Sequence, residues 1–168
     1  MLLAGCASQP RTITGTVGPS PVNLAGQSSL KGSLVVYTAC ESVASPTLPY
    51  ASDSSGGSDV SYTWEYTDYR ILSPAGQVIK RVSNNEGNLI TRPRQVELPA
   101  GNYVVEAQAD KYGKVSVGVT IAGGQNTVLD LDSSGYWPRD LRMNATNAVC
   151  LPDGRLIGWQ AGEQASTK

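Results

Sequence analysis

Histidine is absent from this 168-residue chain, and so is phenylalanine. The first absence excludes Ser-His-Asp and Cys-His catalysis and imidazole-based zinc sites together. The second means that aromatic packing must be built from 8 Tyr and 3 Trp residues. An excess of charge of one sign is missing too. With 13 basic against 14 acidic residues the formal net charge is -1, which leaves no overall electrostatic footprint for nucleic acid or an anionic surface. No apolar run approaches the roughly 20 residues that a membrane-spanning helix requires. No metal or cofactor set is legible either: Asp53 and Asp59, in a Ser/Gly-rich stretch, lack the spacing of a calcium loop.

What the chain has in quantity is turn chemistry. It holds 18 Gly and 10 Pro, many of them between short alternating apolar runs, the pattern of an all-β protein. The length suits one domain and not two independent cores. The β-branched run 33–40 reads as a first strand. Tyr103, Val105, Ala107 and Ala109 alternate with polar positions, as do Val115, Val117, Val119 and Ile121, and then Thr127, Leu129 and Leu131. Joined by the turns 110–113 and 122–125, these predict three antiparallel strands with one face inward. Further pairs are expected from Tyr69 to Leu72 with Val78 to Val82, around Pro74-Ala75-Gly76, and from Ala148 to Leu151 with Arg155 to Trp159, around Pro152-Asp153-Gly154.

Between the first strand and Tyr69 lies an insertion, 41–61, which reads as an exposed loop. It is followed by Tyr62, Trp64 and Tyr66, which alternate with polar residues and so share one face of a strand. Tyr69 and Ile71 continue in the opposite phase, which predicts either a bulge near Thr67 and Asp68 or a strand whose neighbours change along its length. The three aromatics form a candidate ligand platform able to stack on sugar rings. They also suit sheet packing, since strands favour aromatics for that reason alone. Glu65 and Asp68 are the only acids among aromatics that could serve as a glycosidase pair, yet their spacing on a regular strand points them to opposite faces. Asp130 and Asp132 share a face and read as the polar side of an amphipathic strand. Trp137, beside Pro138 and Arg139, is expected to cover an open sandwich edge. Catalysis is not expected from this set.

Leu3, Ala4, Gly5 and Cys6 match the lipobox of bacterial lipoproteins, and the chain turns abruptly polar after Cys6. The resemblance implies cleavage before Cys6 and a lipid on its sulfur, with residues 1–5 the remnant of a signal peptide whose upstream part is missing. It implies a cell-envelope, membrane-anchored protein. Ala7, where an aspartate would resemble an inner-membrane retention signal, leans toward the outer membrane in an organism that has one. Residues 6–31, rich in Ser, Pro, Gly and Thr, read as a lipidated flexible tether that lets the domain stand clear of the bilayer, with a possible short peripheral strand from Thr12 to Val17. The sandwich is expected over 32–160 and a disordered tail over 161–168. In an oxidising compartment Cys40 and Cys150 could pair, and two buried free thiols are the other reading.

The run Leu98-Pro99-Ala100-Gly101-Asn102-Tyr103-Val104-Val105, an aromatic-glycine turn, and then Val-x-Val-x-Ile-x-x-Gly resemble the carboxypeptidase-regulatory-like and PEGA-type modules over about residues 68 to 132. The resemblance implies an antiparallel prealbumin-like β-sandwich of about seven strands, without catalytic activity, serving as a spacer or binding attachment. The expected function is therefore a lipid-anchored structural or protein-binding module whose partner is an envelope protein. The alternative is a carbohydrate-binding surface lipoprotein that holds a polysaccharide on the aromatic strand.

Overall fold

The computed structural model describes residues 9–18, 30–45, 61–85, 92–133 and 147–160. Among them every regular element is a strand. They are β1 (Arg11–Val17), β2 (Lys31–Tyr37), β3 (Cys40–Ser45), β4 (Ser61–Tyr66), β5 (Tyr69–Leu72), β6 (Val78–Val82), β7 (Val96–Pro99), β8 (Gly101–Ala109), β9 (Gly113–Ile121), β10 (Asn126–Asp130), β11 (Ala148–Cys150) and β12 (Leu156–Trp159). A five-stranded sheet in the order β1-β9-β8-β5-β6 and a three-stranded sheet, β10-β2-β7, contribute to one core, beside the two-stranded units β11-β12 and β3-β4.

The period-two pattern explains the centre of the fold. Val115, Val117, Val119 and Ile121 on β9 are fully buried, and Val105, Ala107 and Ala109 line β8 beside them. The β8–β9 hairpin is antiparallel without a register break from Gly101↔Ile121 to Ala109↔Gly113. Its turn places Lys111 at φ 55 and Gly113 at φ 96, left-handed values that the glycine adopts without a Cβ clash. Each large side chain buried here contributes roughly 1.5–3 kcal/mol of transfer free energy, so truncating Ile121 to Ala would cost about 2–5 kcal/mol.

Three expectations change. First, the pairing is mixed, not wholly antiparallel, and the strands number twelve among the described residues: β1 lies parallel to β9, and β10 parallel to β2. β10 does not fold back on β9, because the turn 122–125 crosses to the other sheet. There Gly124 N–H donates to the Lys31 carbonyl and Ser33 N–H to the Gln125 carbonyl, both at 2.9 Å. Gly32 permits the approach, since a Cβ there would lie 2.1 Å from the Ala122 carbonyl oxygen.

Second, Arg11–Val17 is strand and not tether: it forms the edge strand of its sheet, in keeping with the short peripheral strand possible from Thr12 to Val17, and it also enters the core. Ile13 and Val17 are buried in the core, and Gly18 N–H continues the pairing to the Trp159 carbonyl at 2.9 Å. Third, Asp130 is buried and not on a polar face, because β10 also packs against β12. Its carboxylate accepts the backbone N–H groups of Asp132 at 3.2 Å and Ser133 at 2.9 Å, so the buried acid retains hydrogen bonds.

The expected hairpins β5–β6 and β11–β12 are present and antiparallel. The phase change after Tyr66 is a change of neighbours: β4 pairs with β3, whereas β5, beyond Thr67 and Asp68, pairs with β6 and β8. Residues 1–8, which include the expected lipid attachment at Cys6, lie outside the described residues, as do Asp53, Asp59, Trp137 and 161–168.

Candidate functional site

Among the described residues β3, which takes up the start of the stretch 41–61 expected to be a loop, and β4 pair only with each other and form an arm rooted in the body at Thr38–Ala39 and Thr67–Asp68. The root is held by polar contacts. Thr38 is fully buried, and its Oγ1 donates to the Thr67 carbonyl at 2.7 Å. Thr67 N–H donates to the Ala39 carbonyl at 2.9 Å, and Ala39 N–H to the Gln108 carbonyl at 2.8 Å. The arm therefore leaves the body beside the last residues of β8.

Two adjacent asparagines after β6 brace this root. Asn84 is fully buried; its Nδ2 donates to the Val36 carbonyl at 2.9 Å and to Thr38 Oγ1 at 3.1 Å, while its Oδ1 accepts Arg94 N–H at 3.1 Å. Asn85 Oδ1 accepts Tyr66 N–H at 2.9 Å, and its Nδ2 donates to the Tyr66 carbonyl at 3.1 Å. Its amide thus stands where a neighbouring strand's peptide would, satisfying the backbone as β4 leaves the sandwich. Sequence reasoning missed this pair, because Asn-Asn after a strand looks like ordinary turn composition.

The arm has two faces. On one, Cys40, Ser42 and Ala44 oppose Tyr66, Trp64 and Tyr62; on the other, Glu41 and Val43 oppose Glu65 and Thr63. The expected three-aromatic platform divides. Tyr66 turns inward, its ring edge-on to Tyr37 with centroids 5.9 Å apart, and the Asp132 carboxylate lies near its phenol. Burial, with the Asp132 carboxylate next in weight, pushes the Tyr66 phenol well above its ordinary range. Trp64 is turned outward and is 62% exposed, and Val43 is 41% exposed. The Tyr62 side chain lies outside the described ones.

On the other face a cleft of about 360 Å³ is lined by Glu41, Val43, Glu65, Tyr66, Thr67, Asp68 and Asn85. Glu65 and Asp68, expected on opposite faces, share it because regular alternation stops at Thr67. Asp68 Oδ1 accepts Asn84 N–H at 3.2 Å, and Glu65 Oε2 accepts from Asn85 Nδ2 at 3.4 Å. Glu41 sits directly across from Glu65, a like-charge cross-strand pair that weakens the arm. Among the described residues no group of three or more His, Cys, Asp or Glu is arranged to hold a metal ion. What the arm offers chemically is an outward aromatic on one face and a shallow acceptor-lined cleft on the other.

Cys40 and Cys150 are both free thiols, the first half-buried at the arm's root and the second exposed on β11. Burial, then Asp132 and Asp110, push the Cys40 thiol up.

No known family model matches the chain, and neither a curated protein nor a solved structure is significantly similar to it.

Proposed function

We propose that this chain is a lipid-anchored, non-catalytic module of the cell envelope, with a prealbumin-like sandwich as its body and the β3–β4 arm as its binding element. The anchor rests on Leu3-Ala4-Gly5-Cys6, and the non-catalytic reading rests on a sequence without histidine. The observation that carries the binding role is Trp64. A large aromatic that is 62% exposed, on an arm that pairs with no other strand among the described residues, offers the kind of anchor that protein interfaces use. Its root is ordered by the two asparagines, which lowers the entropic cost of presenting it.

The test replaces Trp64 with a photo-crosslinking amino acid in the full-length protein in its own cells, with Ile79 on β6 as a control position. One recurrent envelope protein captured from position 64, and not from 79, is the expected result. Capture of nothing at either position overturns the arm as a protein-binding element. A shift of Trp64 fluorescence on adding cell-wall polysaccharide would instead make the arm a sugar-binding element.

A further inference from the structure

The chain between Cys6 and the first core strand is short. β1 begins at Arg11, so only Ala7 to Pro10 separate a lipidated cysteine from the sandwich. Fully extended, that stretch spans at most about 18 Å, at ~3.5 Å per residue. A tether of this length holds the start of β1 against the membrane instead of letting the domain stand clear. The identity of the adjoining surface then has consequences.

Arg11 pairs with Val115 at the start of β9, beside the β8–β9 turn. Its guanidinium lies over the Tyr112 ring, 5.3 Å from the centroid. Lys111 and Lys114, on either side of Tyr112, are both exposed. One cation therefore lies over a half-buried tyrosine, and two exposed lysines flank that tyrosine in the chain, where the tether enters the fold. Lys111 projects at a left-handed φ of 55, and its contact with Asp110 is a loose 3.8 Å. Among the described residues Asp110 is the acid shown in an ion pair with one of these cations.

We infer that Arg11, Lys111, Tyr112 and Lys114 form a membrane-facing patch that rests on the anionic headgroups of the bilayer carrying the Cys6 lipid. The inference rests on the lipoprotein reading above. Cations attract anionic lipid only within about a Debye length, ~8 Å at physiological salt, and a short tether supplies that proximity. Tyrosine suits the headgroup region, where its ring and hydroxyl find different surroundings. The patch also explains how a nearly neutral chain could contact an anionic surface: the charge is local. The arm's root lies beside the same turn, since Ala39 N–H bonds the Gln108 carbonyl and Asp110 N–H bonds the Leu131 carbonyl at 2.8 Å each. The arm would then present Trp64 to partners close to the bilayer.

The test uses full-length protein purified from membranes, with the mass of its N-terminal peptide read first. A bare Cys6 overturns the lipoprotein reading and this inference together. With the lipid present, the protein is reconstituted into vesicles of three parts phosphatidylethanolamine to one part phosphatidylglycerol and treated with a water-soluble lysine acylating reagent. Lys111 and Lys114 are expected to react several-fold more slowly than in detergent, while Lys31, paired to β7 at the other end of β8, is unchanged. Arg11→Glu, checked for an unaltered thermal midpoint, is expected to keep the lipid and lose much of that protection. Equal acylation of all three lysines in vesicles, or protection indifferent to Arg11→Glu, overturns the patch and leaves the lipid anchor standing.

Discussion

The side-chain amide of Asn85 meets the backbone of Tyr66 at both of its polar groups, accepting its N–H at 2.9 Å and donating to its carbonyl at 3.1 Å. One residue thereby acts as a strand partner at the point where β4 leaves the body for the arm. Replacing Asn85 with Ala should cost about 1–3 kcal/mol, the penalty for leaving partly buried backbone groups unpaired. Hydrogen exchange should quicken at Glu41 to Ala44 and Thr63 to Tyr66 while the β8–β9 amides keep their protection. Unchanged exchange in the arm would mean that Asn85 does not brace it. Asn84→Ala removes bonds to Val36, Thr38 and Arg94 from a fully buried site. Its loss should be about 3 kcal/mol in urea unfolding and should be felt across the whole domain.

Tyr69 supplies the opposite case. It is buried, yet among the described residues its hydroxyl has no hydrogen-bond partner. A buried polar group left unpaired costs stability, so Tyr69→Phe should raise the urea midpoint, with a gain of up to about 1 kcal/mol in unfolding free energy. A fall would indicate a buried water bridging the hydroxyl to its surroundings.

The same tyrosines set the alkaline limit of the fold. Burial raises the folded phenol values of Tyr66 and Tyr69, with Asp132 adding to the first and Arg94 opposing in the second. A tyrosine ionises near 10 in the unfolded chain. Above that pH the unfolded state binds fewer protons than the folded state, so stability falls as pH rises. The contribution is fully present below pH about 10 and is lost as pH climbs through the raised folded values. Thermal midpoints should drop above pH about 10, and Tyr66→Phe or Tyr69→Phe should each flatten that drop. A midpoint independent of pH in this window would contradict the assignment.

Thiol chemistry should separate the two cysteines. Cys150 is exposed, whereas Cys40 is half-buried and its thiol is pushed up by burial and by Asp132 and Asp110. Alkylation goes through the thiolate, so Cys150 should label first and Cys40 considerably more slowly, without prior reduction. If both resisted alkylation until a reductant was added, the free-thiol arrangement would be wrong.

The period-two residues of β8 and β9 made the central hairpin readable, and Lys111 with Gly113 made its turn readable. β1 was not legible as a core strand. Its buried residues, Ile13 and Val17, stay in phase, but the position between them is Gly15 and the register shifts between Ile13 and Thr16, so no run of alternating apolar side chains marks the strand. The inward face of β10 was correct, but alternation says nothing about which strand is the neighbour, and so its parallel pairing with β2 was hidden. Asp130 was misread because the β12 contact that buries it comes from far along the chain. At the arm, the change of phase after Tyr66 was visible as a break. What it joined depended on Thr38, Asn84 and Asn85, polar residues whose partners lie far away in sequence.

The most direct measurement is the mass of the N-terminal peptide of the protein isolated from the membranes of its own cells. A peptide beginning at Cys6 and carrying a lipid on its sulfur is the predicted result, and it would fix the sandwich by a short tether at the bilayer. An unmodified peptide reading through Leu3, Ala4, Gly5, Cys6 and Ala7 would contradict the anchor.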